Sequence, residues 1–346
     1  APAIKETSTY YLLAWKPDTE SDKKSRFRNL EVKLINRPDL TVRVRKGYFD
    51  LDPTPPAIAK EEAKPTPTKA APAKLRESIA APYPERSLPI LLSADYYDMP
   101  NAGPTLSTAI HIPGEFVVFG EQPDGKIQAV IDLTAVYFDD KGAVKDSFMD
   151  RIVTTAPSLE KAKNYRNDIM FTYPVKLPPG MYQVRVAARD DKSGKVGSAH
   201  AWIEIPNLAS KKLTMSSLLL GERTQAMLTN VSNTGGASPI ALSASHRFQR
   251  ESTLRFLIFA YNAAVSPADK KPDLAVQVQV IRDDQPVITT ALRKINAEGV
   301  ADPARLPYAA EIPLTDLLPG RYLLSVTLID RVSKQSTSRQ THFDVY

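Results

Sequence analysis

Two stretches of this chain alternate apolar and polar residues with a period of two, and they do so in the same words. In "LPPGMYQVRVAARD", Leu177 to Asp190, the residues Tyr182, Val184, Val186 and Ala188 share one face while Gln183, Arg185, Ala187 and Arg189 share the other. The pattern returns 140 residues later as "LLPGRYLLSVTLID", Leu317 to Asp330, with Tyr322, Leu324, Val326 and Leu328 on the apolar face. Upstream, "VYFDDKG" at Val136 has a looser echo in "QVIRDDQ" at Gln279. Two copies of one unit account for this most simply. Helical periodicity is scarce, so the chain is expected to be mainly β.

Each copy reads as a β-sandwich. A Pro-Gly corner two residues before a Tyr that opens an alternating strand is the signature of a tyrosine corner in immunoglobulin-like sandwiches, where the phenol bonds back across the corner. "DDKSGK" then predicts a hairpin into a last strand with Ala199, Ala201, Ile203 and Ile205 inward, and its counterpart ends at Phe343 and Val345. The sandwiches, immunoglobulin-like and fibronectin III-like, are expected at residues 87–206 and 207–346. Ahead of them, residues 51–86 hold eight Pro and eight Ala. Proline fixes the backbone near polyproline II, so this stretch reads as a stiff spacer with a short helical turn around Lys74 to Ile79.

Three apolar features are not absorbed by the alternating cores. "STYYLLAWKPD", residues 8 to 18, is bulky and apolar without alternation, so both of its faces want cover: Tyr10, Tyr11, Leu12, Leu13 and Trp15 are candidate partner-binding residues. Trp202, in register with His200 and Glu204, points opposite to Ile203 and so outward. In "TLRFLIFAY", Thr253 to Tyr261, both faces are apolar, with Phe256 and Ile258 on one and Leu257, Phe259 and Tyr261 on the other. One face is core. The other is either a contact surface, which makes Phe259 a candidate, or is covered by packing between the two sandwiches or under a long loop.

Charge narrows the partners. The net charge of +6 is uneven: residues 1–50 hold eleven Lys/Arg against seven Asp/Glu, while everything after residue 86 holds 28 against 27. A nucleic-acid interface needs a dense basic face, so that class is not expected. No apolar run approaches the roughly 18 residues of a spanning helix. Cysteine is absent, which removes disulfides, thiolate metal sites and thiol nucleophiles. The four histidines, His111, His200, His246 and His342, are isolated, and no HExxH, GxSxG, GxxxxGK[ST] or GxGxxG motif occurs. The pairs Asp139/Asp140, Asp190/Asp191 and Asp283/Asp284 fall at strand ends, where Asp is a favoured turn residue; no loop collects the 6 to 8 oxygens of a calcium cage. No catalytic residue, metal ligand or cofactor site is expected.

The segments "YYLLAWKPD…RFRNLEVKLINRPDLTVRVRKGYF", "LPILLSADYY", "LPPGMYQVRVAARD", "LTMSSLLLGE", "STLRFLIFAYNA" and "LLPGRYLLSVTLID" together resemble the C-terminal region of the von Willebrand factor A-related proteins of Acidobacteria. The resemblance covers essentially the whole chain. It implies that residues 1–50 supply the last strand and an added hairpin of a von Willebrand A-like domain, with Leu30, Val32 and Leu34 paired toward Val42 and Val44. It also implies export from the cytoplasm and adhesion. The family's DxSxS metal motif does not occur here, so no ligand is carried over to any residue. The expectation is a noncatalytic, extracytoplasmic interaction, adhesion or scaffold subunit whose N-terminal segment completes another polypeptide's sheet, the resemblance pointing to the remainder of the same precursor. The alternative is an accessory or inhibitory module of an envelope enzyme that binds glycan or peptide through exposed aromatics.

Overall fold

The computed structural model describes residues 27–29, 35, 47–49, 73–99, 103–165, 167–223, 241–297, 300 and 302–346. Three short elements come first: β1 (Phe27–Asn29) and β2 (Gly47–Phe49), which pair antiparallel with Phe27 opposite Phe49, and then the helix α1 (Ala73–Ala80). The positions expected to pair inside that hairpin, Leu30, Val32, Leu34, Val42 and Val44, lie outside the described residues.

The first repeat runs β3 (Leu91–Met99), β4 (Gly103–Ile112), β5 (Gly120–Glu121), β6 (Ile127–Asp139), β7 (Val144–Ala156), a short α2 (Leu159–Lys163), β8 (Ile169–Val175), β9 (Gly180–Asp190) and β10 (Val196–Ile205). The second runs β11 (Thr214–Met215), β12 (Leu219–Arg223), β13 (Ala241–Leu242), β14 (Arg247–Phe248), β15 (Thr253–Tyr261), β16 (Leu274–Arg282), β17 (Gln285–Thr289), β18 (Arg293–Lys294), β19 (Arg305–Pro313), β20 (Gly320–Asp330) and β21 (Ser336–Val345). The chain is mainly β. Its contacts divide it into two compact units, one containing 108–205 and the other 206–346 together with residues 95–107 from the β3–β4 hairpin.

Both repeats follow one plan. In the first, one sheet has the order β10-β9-β6 with β7 on the far side of β6, and the other is β3-β4-β8. In the second, β21-β20-β16-β17 corresponds to the former and β12-β15-β19 to the latter. The alternation read from sequence sets the registers: Tyr182, Val184, Val186 and Ala188 are buried on the inner face of β9, as are Tyr322, Leu324, Val326 and Leu328 on β20. Opposite them, Ile131, Leu133, Ala135 and Tyr137 of β6 complete the first core.

The repeated corner has the expected bond. Tyr182 Oη donates to the Pro178 carbonyl at 2.8 Å, and Tyr322 Oη donates to the Leu318 carbonyl at 2.6 Å. The residue that ends each repeat, Asp190 or Asp330, is also fixed. Asp190 is fully buried, accepting from the backbone N–H of Ser193 and Val118, and Asp330 likewise accepts from Val332, Ser333 and Ala264. Each carboxylate therefore ties its hairpin turn to the loop after the second strand of the opposing sheet, and those donors satisfy a buried charge.

The units differ in what lies over their larger sheet, and here one expectation is corrected. α1 falls inside the stretch read as a spacer, yet Leu75 and Ile79 are buried against Val136, Phe138, Ala187 and Val196 on the outer face of β6, β9 and β10. The spacer reading therefore stops short of residue 73. Among the described residues only one unit carries such a helix, and register shows why. The positions equivalent to Val136, Ala187 and Val196 are Gln279, Thr327 and Ser336, which offer a helix no apolar seat.

Candidate interaction surface

Trp202 lies on β10, opposite Gln183 in the ladder, and is 41% exposed. The pleat puts His200 and Trp202 on the outer face, as alternation requires. Beneath them is an ordered strut. Gln183 is buried and its Oε1 accepts from Arg185 Nε at 3.0 Å. The Arg185 guanidinium donates in turn to the Ile79 carbonyl at 2.8 Å and sits 5.7 Å from the centre of the Phe138 ring. Arg185 thus caps the last turn of α1, where carbonyls lack helical partners. Partial burial and then Arg185 hold the His200 imidazole below its usual range, so His200 is neutral near pH 7. The result is a large ring presented on a backed, hydrogen-bonded sheet face.

The other candidates divide. Tyr10, Tyr11, Leu12, Leu13 and Trp15 lie outside the described residues. Phe259 does not form a surface: it is 7% exposed, a correction to its reading as a contact residue. β11 runs along β15 with Met215 opposite Ala260, and Ser216 exchanges two 3.0 Å bonds with the Phe259 backbone. The neighbouring Tyr261 is fully buried, edge-on to Tyr96 at 6.2 Å. On this apolar face Tyr96, from the part of β3 that belongs to this unit, lies against Tyr261.

Sequence reasoning missed the polar network around Tyr261. Asp98, 3% exposed, takes Arg305 Nε at 2.9 Å and the other guanidinium arm at 3.2 Å. Arg305 also reaches Asp302 at 2.6 Å, and the Tyr261 hydroxyl accepts the Asp98 N–H at 2.6 Å. Burial drives the Tyr96 phenol up to about 12 and Tyr261 further up, so neither ionises in ordinary buffers. Asp98 and Arg305 are 207 positions apart, which no local pattern signals. A second pair, His111 Nε2 to Asp168 Oδ2 at 2.7 Å, joins β4 to the loop before β8, where Asp168 also accepts the Gly114 N–H.

These groups hold structure in place. Among the described residues, no three His, Asp or Glu side chains gather as a metal site would require. No helix among them is long and apolar enough to cross a membrane.

No family model matches the chain, and no curated protein does. Solved structures match only remotely. A β-glucuronidase of Bacteroides uniformis aligns at 14% identity over 34% of this chain and 13% of its own, with a TM-score of 0.21. A Parabacteroides merdae β-glucuronidase aligns at 11% identity over 69% and 28%, TM-score 0.23. A putative β-galactosidase from Bacteroides fragilis aligns at 10% over 68% and 32%, TM-score 0.22. The chain thus spans less than a third of each of these proteins, and similarity at this level carries no argument about either fold or activity.

Proposed function

We propose that this chain is a noncatalytic, extracytoplasmic interaction or scaffold subunit, related to the von Willebrand factor A-related proteins, in which residues 1–50 complete another polypeptide's sheet and Trp202 marks a second contact. Its two sandwiches are immunoglobulin-like, of the fibronectin III kind. Three strands facing four, with a tyrosine corner opening the strand before the last, support that assignment.

The observation that carries the functional reading is Trp202. Trp202 is two-fifths exposed on a face where the neighbouring Gln183 and Arg185 side chains are already bonded, and an aromatic ring in such a setting gives contact area at small entropic cost. Trp15 and Trp202 are the two tryptophans of the chain, which makes the test direct. In a Trp15→Phe variant Trp202 alone emits. Its fluorescence is expected to shift to the blue when the chain is purified with its bound partner, and Trp202→Ala is expected to weaken that complex by about 2 kcal/mol. An emission maximum identical in the free and bound chain, with unchanged affinity in the alanine variant, contradicts the assignment of Trp202.

A further inference from the structure

Among the described residues the 13-residue strand β7 pairs only with β6, which leaves its other edge free of them. Which groups face that edge can be read from its bonds. The Phe148 carbonyl accepts from Thr134 Oγ1 of β6, so Phe148 turns its backbone toward the sheet. Backbone direction alternates along a strand, so Ser147, Met149, Arg151, Val153 and Thr155 turn theirs to the free edge. Two of those edge N–H groups are occupied from within: Ser147 N–H by Asp146 Oδ1 and Arg151 N–H by Asp150 Oδ1, each at 2.7 Å. Neither carboxylate makes an ion pair among the described residues.

The side chains alternate as well. Asp146, Phe148 and Asp150 lie on the inner side of β7, opposite Tyr137, Ala135 and Leu133. Phe148 is half-buried between Tyr173, 4.2 Å away, and Phe171, 5.4 Å away, both on β8. This edge therefore shows carboxylate, aromatic, carboxylate at every second residue. Inward-pointing charge is a usual guard against strand addition, because an apolar strand pairing here would strip water from two uncompensated carboxylates and lose their caps.

The same arrangement is selective rather than closed. An incoming strand's carbonyls replace the carboxylates on the Ser147 and Arg151 N–H groups, and the released carboxylates then need cationic partners four residues apart with an apolar side chain between them. We propose that the free edge of β7 is a docking site for an extended basic segment of another polypeptide, of pattern basic-x-apolar-x-basic, with its cations on Asp146 and Asp150 and its apolar residue on Phe148. Charge complementarity identifies the occupant, and strand addition supplies the backbone bonds. The site is separate from Trp202 and does not depend on the function assigned to it.

The test uses an end-blocked, fluorescein-labelled nonapeptide with Lys at positions 3 and 7, Val at 5 and Thr elsewhere, against the same peptide with Glu at 3 and 7. Fluorescence anisotropy with the full chain is expected to show at least tenfold tighter binding of the lysine peptide. Asp146→Asn/Asp150→Asn keeps an amide oxygen for each edge N–H while removing the charge, and should cut that preference below threefold. Hydrogen exchange should slow across residues 147–155 when the lysine peptide binds. Equal binding of the two peptides, no binding of either, a preference that survives in the double variant, or protection confined elsewhere overturns the proposal.

Discussion

Tyr182 and Tyr322 show how a single atom is placed by its sequence context. The Pro-Gly step turns the chain so that the phenol of the next strand meets the carbonyl four residues back, and Gly320 adopts φ +145, a region that disfavours a side chain. Tyr182→Phe and Tyr322→Phe are each expected to cost about 1 kcal/mol, read as lower denaturation midpoints, since a part-buried hydrogen bond is lost. Asp98 carries more. It is almost wholly buried while Arg305 keeps partial access to water, so Asp98→Ala leaves a cation without its main partner and should destabilise the second unit by about 3 kcal/mol. Acid sensitivity is also a residue-scale matter. Burial pushes His246 and His342 of that unit below the ordinary histidine value of 6.5, with the His342 charge adding to the effect on His246 and Arg321 to that on His342. The unfolded chain therefore binds more protons than the folded one between the folded values and about 6.5, and stability falls as pH drops through that window. Thermal midpoints should be lower at pH 5.5 than at 7.5, and His246→Gln/His342→Gln should flatten the difference; an equal slope in the double variant would assign the effect elsewhere.

Elements were legible in the sequence where a pattern closes locally. Period-two alternation from Tyr182 to Ala188 and from Tyr322 to Leu328, with the corner before and the turn after, was enough to place β9 and β20, their faces and their phenol bonds. The acid pairs also act as turn residues: Asp139 accepts from the N–H of Lys141 and Ala143, and Asp283 and Asp284 both take positive φ. What failed was anything set by distant partners. Phe259 sits on a strand apolar on both sides, and only distant packing, such as that of Tyr96 against the neighbouring Tyr261, decides that its side is buried. α1 is the short helical turn read around Lys74 to Ile79, but two apolar residues one turn apart in a Pro/Ala-rich surround do not announce the seat that β6, β9 and β10 provide. That dependence is testable. Leu75→Ala should cost the first unit about 2 to 3 kcal/mol, toward the lower end for a buried leucine because α1 lies over the outer face of a sheet. An unchanged midpoint would mean that the helix rests on the sheet without stabilising it.

At the scale of the whole molecule, the two units spend their buried polar groups on holding strands and turns together, and they leave a backed tryptophan and a guarded strand edge at the surface. The proposed role is to present contacts, and the least self-sufficient segment in sequence is the unalternating apolar run from Tyr10 to Trp15. Residues 1–50 are accordingly expected to be dispensable for folding and required for association. The most direct measurement compares the full chain with a variant lacking residues 1–50, following thermal unfolding of each and the retention, by native mass spectrometry, of the polypeptide that copurifies with the full chain. The account predicts unchanged unfolding of both sandwiches together with loss of the bound polypeptide. Retention of that polypeptide at the same stoichiometry and affinity after the deletion would contradict it.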